Sequence, residues 1–180
     1  MLLEAARSTL LVVDIQERLL PAMSDADIAL AQATKLMQGA LRLGVPILVS
    51  EQYPKGIGAS VPQIASLAPE GSIYSKTTFS CAEEPAIAAA VAATKRPLLV
   101  LCGIEAHVCV MQTAFGFAAR GYKVAVAWDA TASRRESDRR LAYDRLFQAG
   151  IVLASLEMLL FEWLGRAGTP EFKEILASIK

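Results

Sequence analysis

Three residues in this sequence have the types and placement to act together: Asp14 closes LLVVD, Lys76 ends SIYSK, and Cys109 lies in AHVCV. Acyl transfer needs a soft nucleophile, a base to take its proton and a cation beside the developing anion. A cysteine at a helix start also gains backbone donors and a dipole that favours negative charge on sulfur. In this chemistry Asp14 accepts the thiol proton and later helps to activate water, while Lys76 holds the carboxylate and stabilises the sulfur anion. Each residue has a structural reading beside the chemical one. Cysteine is a common core residue, an aspartate after a strand can cap a turn, and a lysine can be solvated.

The three can meet only if the chain brings distant strand ends together. Leu10 to Val13 is a continuous apolar run, as expected of a strand covered on both faces. Ala33, Leu36, Met37, Ala40 and Leu41 follow a helical period that Gly44 and Pro46 end. Further strands are expected over 47–49, 72–76, 97–101, 123–128 and 151–154, and helices over 84–93, 108–119 and 135–148. Thr169 and Pro170 open a last helix. The segment QYPKGIGASVPQ reads as a long loop. This alternation predicts the α/β class, a three-layer Rossmann-like fold with a mainly parallel six-stranded sheet in the order 3-2-1-4-5-6. One domain over residues 1–180 is expected. In that order the first and fourth strands are neighbours at the reversal, so Asp14 and Cys109 flank the crevice. Lys76, from the outermost strand, must reach inward on its long side chain.

Composition narrows the partners. With 54% hydrophobic and 20% charged residues the chain is no disordered segment. Its 18 basic and 18 acidic residues balance without a block of one sign, so neither nucleic acid nor an anionic membrane is expected as partner. A small-molecule substrate is. The apolar stretch IVLASLEMLLFEWL is interrupted by Glu157 and Glu162 and falls short of a membrane span. No GxGxxG follows the first strand, His107 is the single histidine, and the three cysteines cannot build a disulfide scaffold. No metal and no cofactor are therefore expected. A cytoplasmic or other reducing intracellular location fits, and the start MLLEAARSTL shows no secretory pattern. Leu159, Leu160, Phe161 and Trp163 can cover the sheet, with apolar surface left for self-association into a homo-oligomer.

Gln16 and Tyr53 lie near ligand-facing strand ends and are candidates for substrate binding, as are Phe79 as a pocket wall and His107 as an orienting or proton-transferring group. Cys81 is expected in a loop, Cys102 packed at the end of the fourth strand, and Asp129 as a support for the turn after the fifth.

Over most of its length the sequence resembles the isochorismatase-like hydrolase superfamily. The resemblance is carried by LLVVDIQERL around Asp14, EQYPKGIG, YSKTTFSC around Lys76, CGIEAHVCVMQTA around Cys109, and WDATAS. It implies a catalytic triad of Asp14, Lys76 and Cys109, a non-proline cis peptide between Ile104 and Glu105, and an oxyanion hole made by the backbone amides of Glu105 and Cys109. Nicotinamidases of that superfamily carry an aspartate and two histidines as a metal site after the second strand, where this chain has Glu51, Gln52 and Tyr53. True isochorismatases usually lack a cysteine at the place of Cys109. The sequence is thus similar to the uncharacterised cysteine hydrolase branch, which implies metal-independent hydrolysis of a small amide, imide or related acyl C–N bond through a covalent acyl-enzyme. Vinyl-ether hydrolysis of the isochorismatase type stays open, as does a non-catalytic role in small-ligand binding or redox sensing.

Overall fold

The computed structural model describes residues 2–179. Six strands form one sheet: β1 (Ser8–Val13), β2 (Ile47–Gln52), β3 (Ile73–Lys76), β4 (Leu98–Ile104), β5 (Lys123–Ala132) and β6 (Val152–Ala154). Their order is β3-β2-β1-β4-β5-β6 and every pairing is parallel, as the alternation of elements predicts. All six residues of β1 and all seven of β4 are buried, which explains why these central strands read as unbroken apolar runs.

Helices cover both faces. Residues Leu10, Val12, Ile47, Val49, Leu98, Val100 and Cys102 point to a core closed by α1 (Ala26–Arg42), α7 (Leu156–Leu164) and α8 (Pro170–Ile179). Leu11, Val13, Leu48, Leu99 and Leu101 point to a second core closed by α4 (Pro85–Ala93), α5 (Met111–Ala119) and α6 (Glu136–Gln148). The alternation of side chains along each strand produces this division. Leu159, Leu160 and Trp163 are buried in the first core, whereas Phe161 stays partly exposed.

Strands β2 and β4 each run three residues past their expected ends, to Gln52 and Ile104, and the structure departs from the expected elements in four further places. Helix α1 begins at Ala26, well before Ala33, because its first two turns face the core with Ala29 and Ala33, whose small side chains give a weak periodic signal. The expected loop 52–63 holds two single-turn helices, α2 (Pro54–Ile57) and α3 (Pro62–Ala65), each opened by a proline. Strand β5 continues past Trp128 to Ala132, since pairing with β4 resumes after an irregularity: Leu101 faces Val126, then Gly103 faces Thr131. Cys109 lies in a wide π-turn, Ala106–Val110, that feeds α5. Among the described residues no helix is long and apolar enough to cross a membrane.

Candidate active site

The site forms where β1, β2, β3 and β4 end together. Val13 faces Ser50 on one side and Gly103 on the other. Gly103 has φ +113, and a side chain there would overlap the Val13 backbone, so only glycine lets β4 approach β1 this closely. Asp14 then leaves the strand in the left-handed region at φ 52, which aspartate tolerates better than most residues. Its amide donates to the Ser50 carbonyl at 3.1 Å. Its Oδ1 accepts from the Ser50 hydroxyl at 2.7 Å.

Lys76 makes the inward reach that the strand order requires. It sits opposite Gln52 in the β2–β3 pairing, and its Nζ lies 2.8 Å from Asp14 Oδ2 with both side chains fully buried. The ammonium also donates to Gln52 Oε1 at 2.5 Å, the Thr78 carbonyl at 3.2 Å and the Phe79 carbonyl at 3.3 Å. Gln52 is itself held, through its Nε2 to the Thr77 carbonyl at 2.9 Å. Burial, the largest single effect, lowers the Lys76 pKa, but the charge of Asp14 together with Cys81 and Cys109 outweighs it and the pKa ends above the ordinary lysine value. Lys76 is an ammonium ion.

Cys109 completes the group, at 5% exposure. Burial pushes its thiol well above the ordinary cysteine range. The Asp14 charge adds to the effect, and Lys76 opposes it only in part. The resting site therefore holds Cys109 as a neutral thiol beside the Asp14 carboxylate. Desolvation of sulfur is a larger effect here than the lysine charge, so the thiol proton is still in place for a base to accept. A second thiol lies close by. Cys81 is fully buried in the turn Cys81–Glu83, its Sγ 3.4 Å from the Ser50 hydroxyl and its backbone N–H donating to Thr113 Oγ1 at 2.9 Å. Burial, then the Asp14 charge, push its pKa up to about 11.

The remaining candidates are placed differently. Gln16 is buried with its amide engaged by backbone: Nε2 donates to the carbonyls of Gln52 and Gly58, and Oε1 accepts from the Gln52 N–H at 2.7 Å. It clamps the loop 53–60 to β2, with both amide protons taken by backbone carbonyls. Tyr53 and Phe79, each 54% exposed, stand after β2 and β3. Tyr53 lines, with Lys55, Lys76, Thr77 and Glu84, a cleft of about 460 Å³. His107 contacts the β5–α6 loop, its Nδ1 2.9 Å from Ser133 Oγ, and lines a cavity of about 290 Å³ with Arg134, Arg135 and Asp138. The peptide between Ile104 and Glu105 is cis. The Glu105 carboxylate fixes the following turn to that loop by accepting from Arg134 N and Nε, both at 3.1 Å. Asp129 accepts from the Leu156 N–H, tying the β5 irregularity to the start of α7. Among the described residues, no three His, Cys, Asp or Glu side chains converge as a metal site.

Sequence reasoning missed Ser50, Gln52 and Cys81. For the first two a signal exists: they share strand parity with Leu48, so they face the same side of the sheet as the second core. Cys81 lies in an irregular turn and carries no such mark.

Comparison with known proteins identifies the family. The family model described as "Isochorismatase domain" matches residues 8–158. The isochorismatase domain-containing protein 1 of Salmo salar is 40% identical over 93% of this chain and 59% of its own length, so the chain spans about three fifths of that relative. The isochorismatase domain-containing protein 2 of Danio rerio is 36% identical over 93% of this chain and 84% of its own length. Among solved structures, one described as the MAR1 ribonuclease from Caenorhabditis elegans superimposes with a TM-score of 0.93 at 34% identity, covering 99% of this chain and 92% of that one. By its matched domain and by these relatives, the chain belongs to the isochorismatase-like hydrolase superfamily.

Proposed function

We propose that the protein is a metal-independent cysteine hydrolase that opens a small amide, imide or related acyl C–N bond through an acyl-enzyme. The observation that carries this reading is the buried meeting of Lys76 and Asp14 at 2.8 Å, beside a buried Cys109 thiol close enough to feel both charges. Because the resting thiol is neutral, its proton passes to Asp14 as sulfur bonds to the carbonyl carbon. The carbonyl π pair moves to oxygen, where the backbone amides of Glu105 and Cys109 receive the charge. Collapse expels the nitrogen, which takes its proton from Asp14. Asp14 next takes a proton from water as the water oxygen attacks the thioester. The C–S bond breaks, sulfur recovers the proton and the acid leaves. Lys76 stays protonated throughout and keeps the carboxylate in place.

The test is intact-mass measurement after incubation with a panel of small amides and imides. Wild type is expected to show a transient acyl adduct that Cys109→Ala lacks. No adduct and no Cys109-dependent turnover across the panel would overturn the reading, and turnover retained in Cys109→Ala but lost in Asp14→Ala would favour vinyl-ether chemistry instead.

The likeness to a protein described as a ribonuclease supports a second reading, RNA cleavage. The near-sealed sulfur and the formal net charge of zero favour the small molecule. Cutting of a labelled RNA strand by wild type and not by Asp14→Ala would reverse that order. The working assembly in our reading is a homo-oligomer, supported by the exposure of Leu141, Phe147 and Met158. Sedimentation as a monomer at working concentration would refute it.

A further inference from the structure

We propose that Ser50 and Cys81 are positioning residues that act in series on Asp14 and decide which of its two oxygens receives the proton of the nucleophile. The inference rests on the cysteine-hydrolase reading and adds a second thiol to its machinery, one that meets no substrate.

Hydrogen-bond chemistry fixes the direction of the chain. An ionised carboxylate only accepts, so the Ser50 hydroxyl at 2.7 Å must donate to Asp14 Oδ1. With that proton committed, the Ser50 oxygen meets Cys81 Sγ at 3.4 Å as an acceptor. Cys81 has a proton to give, because its pKa is pushed up to about 11 by burial first and the nearby carboxylate second. The order Cys81 S–H to Ser50 O–H to Asp14 Oδ1 follows, each donor polarising the next.

The chain is anchored to the helix that follows the nucleophile. Thr113 of α5 accepts the Cys81 N–H at 2.9 Å. Gly116, one turn further on, lets the turn at Ser80–Ala82 lie against α5. A Cβ there would stand 2.7 Å from Ala82 Cβ and 2.8 Å from Ser80 Oγ. The base and the nucleophile thus share one support. On the other side of the carboxylate, Oδ2 takes no directed hydrogen bond among the described residues and is held by the charge of Lys76 at 2.8 Å. With Oδ1 occupied, Oδ2 is the oxygen left for the Cys109 proton.

The test uses the full chain and iodoacetamide, with alkylation of Cys109 followed by peptide mass from acid to mildly alkaline pH. Wild type is expected to show an acid limb that Asp14→Asn removes. In Ser50→Ala the limb moves to higher pH by about one unit, the size expected when a carboxylate loses one charge-assisted hydrogen bond. Cys81→Ala moves it the same way by less. Ser50→Thr and Cys81→Ser, which keep a donor, return it toward wild type. Ser50→Ala and Cys81→Ala proteins that melt as wild type yet keep its profile would overturn the inference, and if Ser50→Ala does not fold, Cys81→Ala against Cys81→Ser decides alone. A limb lost in Asp14→Asn but unmoved in the other variants would sink this inference and spare the hydrolase reading. A profile that Asp14→Asn leaves unchanged would sink both.

Discussion

The two faces of the sheet are built from the same strands and end in opposite chemistry. On β2, Ile47 and Val49 join the core under α1 and α7, and nothing but packing is asked of them. Leu48 joins the core under α4 and α5, but the next residues of its parity are Ser50 and Gln52, which are buried as polar groups. Burying a polar or charged group is costly unless it is paired. The second face meets that condition by pairing: Ser50 holds Asp14 Oδ1, Gln52 holds Lys76, and Lys76 neutralises Asp14. One face is therefore stable because its residues fill space, the other because its polar groups satisfy one another. The two should fail differently.

The largest failure is expected at the seam that serves both. Gly103→Ala puts a methyl group onto the Val13 backbone at a φ of +113, and a loss above about 4 kcal/mol is expected, seen as absence of folded protein or collapse of the urea midpoint. Next is Lys76→Met, which leaves the Asp14 charge buried without its partner and should cost about 3–5 kcal/mol. The double variant Asp14→Asn, Lys76→Met removes both charges and should recover much of that loss. A double variant no more stable than Lys76→Met would show that packing, not pairing, holds this face. On the apolar face, Leu36→Ala empties a fully buried site and should cost about 2–5 kcal/mol. Its discriminating readout is chemical: the Cys109 alkylation profile should stay as in wild type.

The same contrast explains what the sequence discloses. Periodicity identifies a face that packs, so β1, β4 and the sheet order are legible from Leu10–Val13 and Leu98–Leu101, and the order in turn predicts that Asp14 and Lys76 must converge. Mutual satisfaction leaves no period. Ser50 and Gln52 look like ordinary polar residues at a strand end, and Gln16 looks free to bind a ligand until its amide is seen between β2 and the loop. The charge state of Cys109 is hidden for a related reason. A sequence shows that a lysine accompanies the thiol but not how deeply the sulfur is withdrawn from water, and that depth decides the sign. The extension of β5 to Ala132 is likewise a tertiary matter, set by a pairing irregularity opposite Gly103.

Thiols on the two faces give the finest version of the comparison. Cys102 sits in the apolar core, where burial, with some help from Asp129, pushes its pKa from 9.0 up to about 12. Cys81 sits on the polar face, where Lys76 works against burial and the value is about 11. Both folded values lie above the unfolded one, so the stability each thiol contributes is whole below about pH 9. It is lost as pH rises from there toward the folded value, because the unfolded chain releases its protons first. One unit of difference is worth about 1.4 kcal/mol, so near pH 10 each buried thiol should have withdrawn about 1 kcal/mol. Lys76, raised above 10.5, still favours the folded state at that pH and does not contribute to the fall. Urea unfolding near pH 8 and near pH 10 measures the change. Cys102→Ala loses packing at both pH values, so its cost cancels in the difference, and the fall should shrink by about 1 kcal/mol relative to wild type. A fall as steep in Cys102→Ala as in wild type would mean that the apolar face lets its thiol ionise without unfolding, and that the two faces are less distinct in their access to water than their side chains suggest.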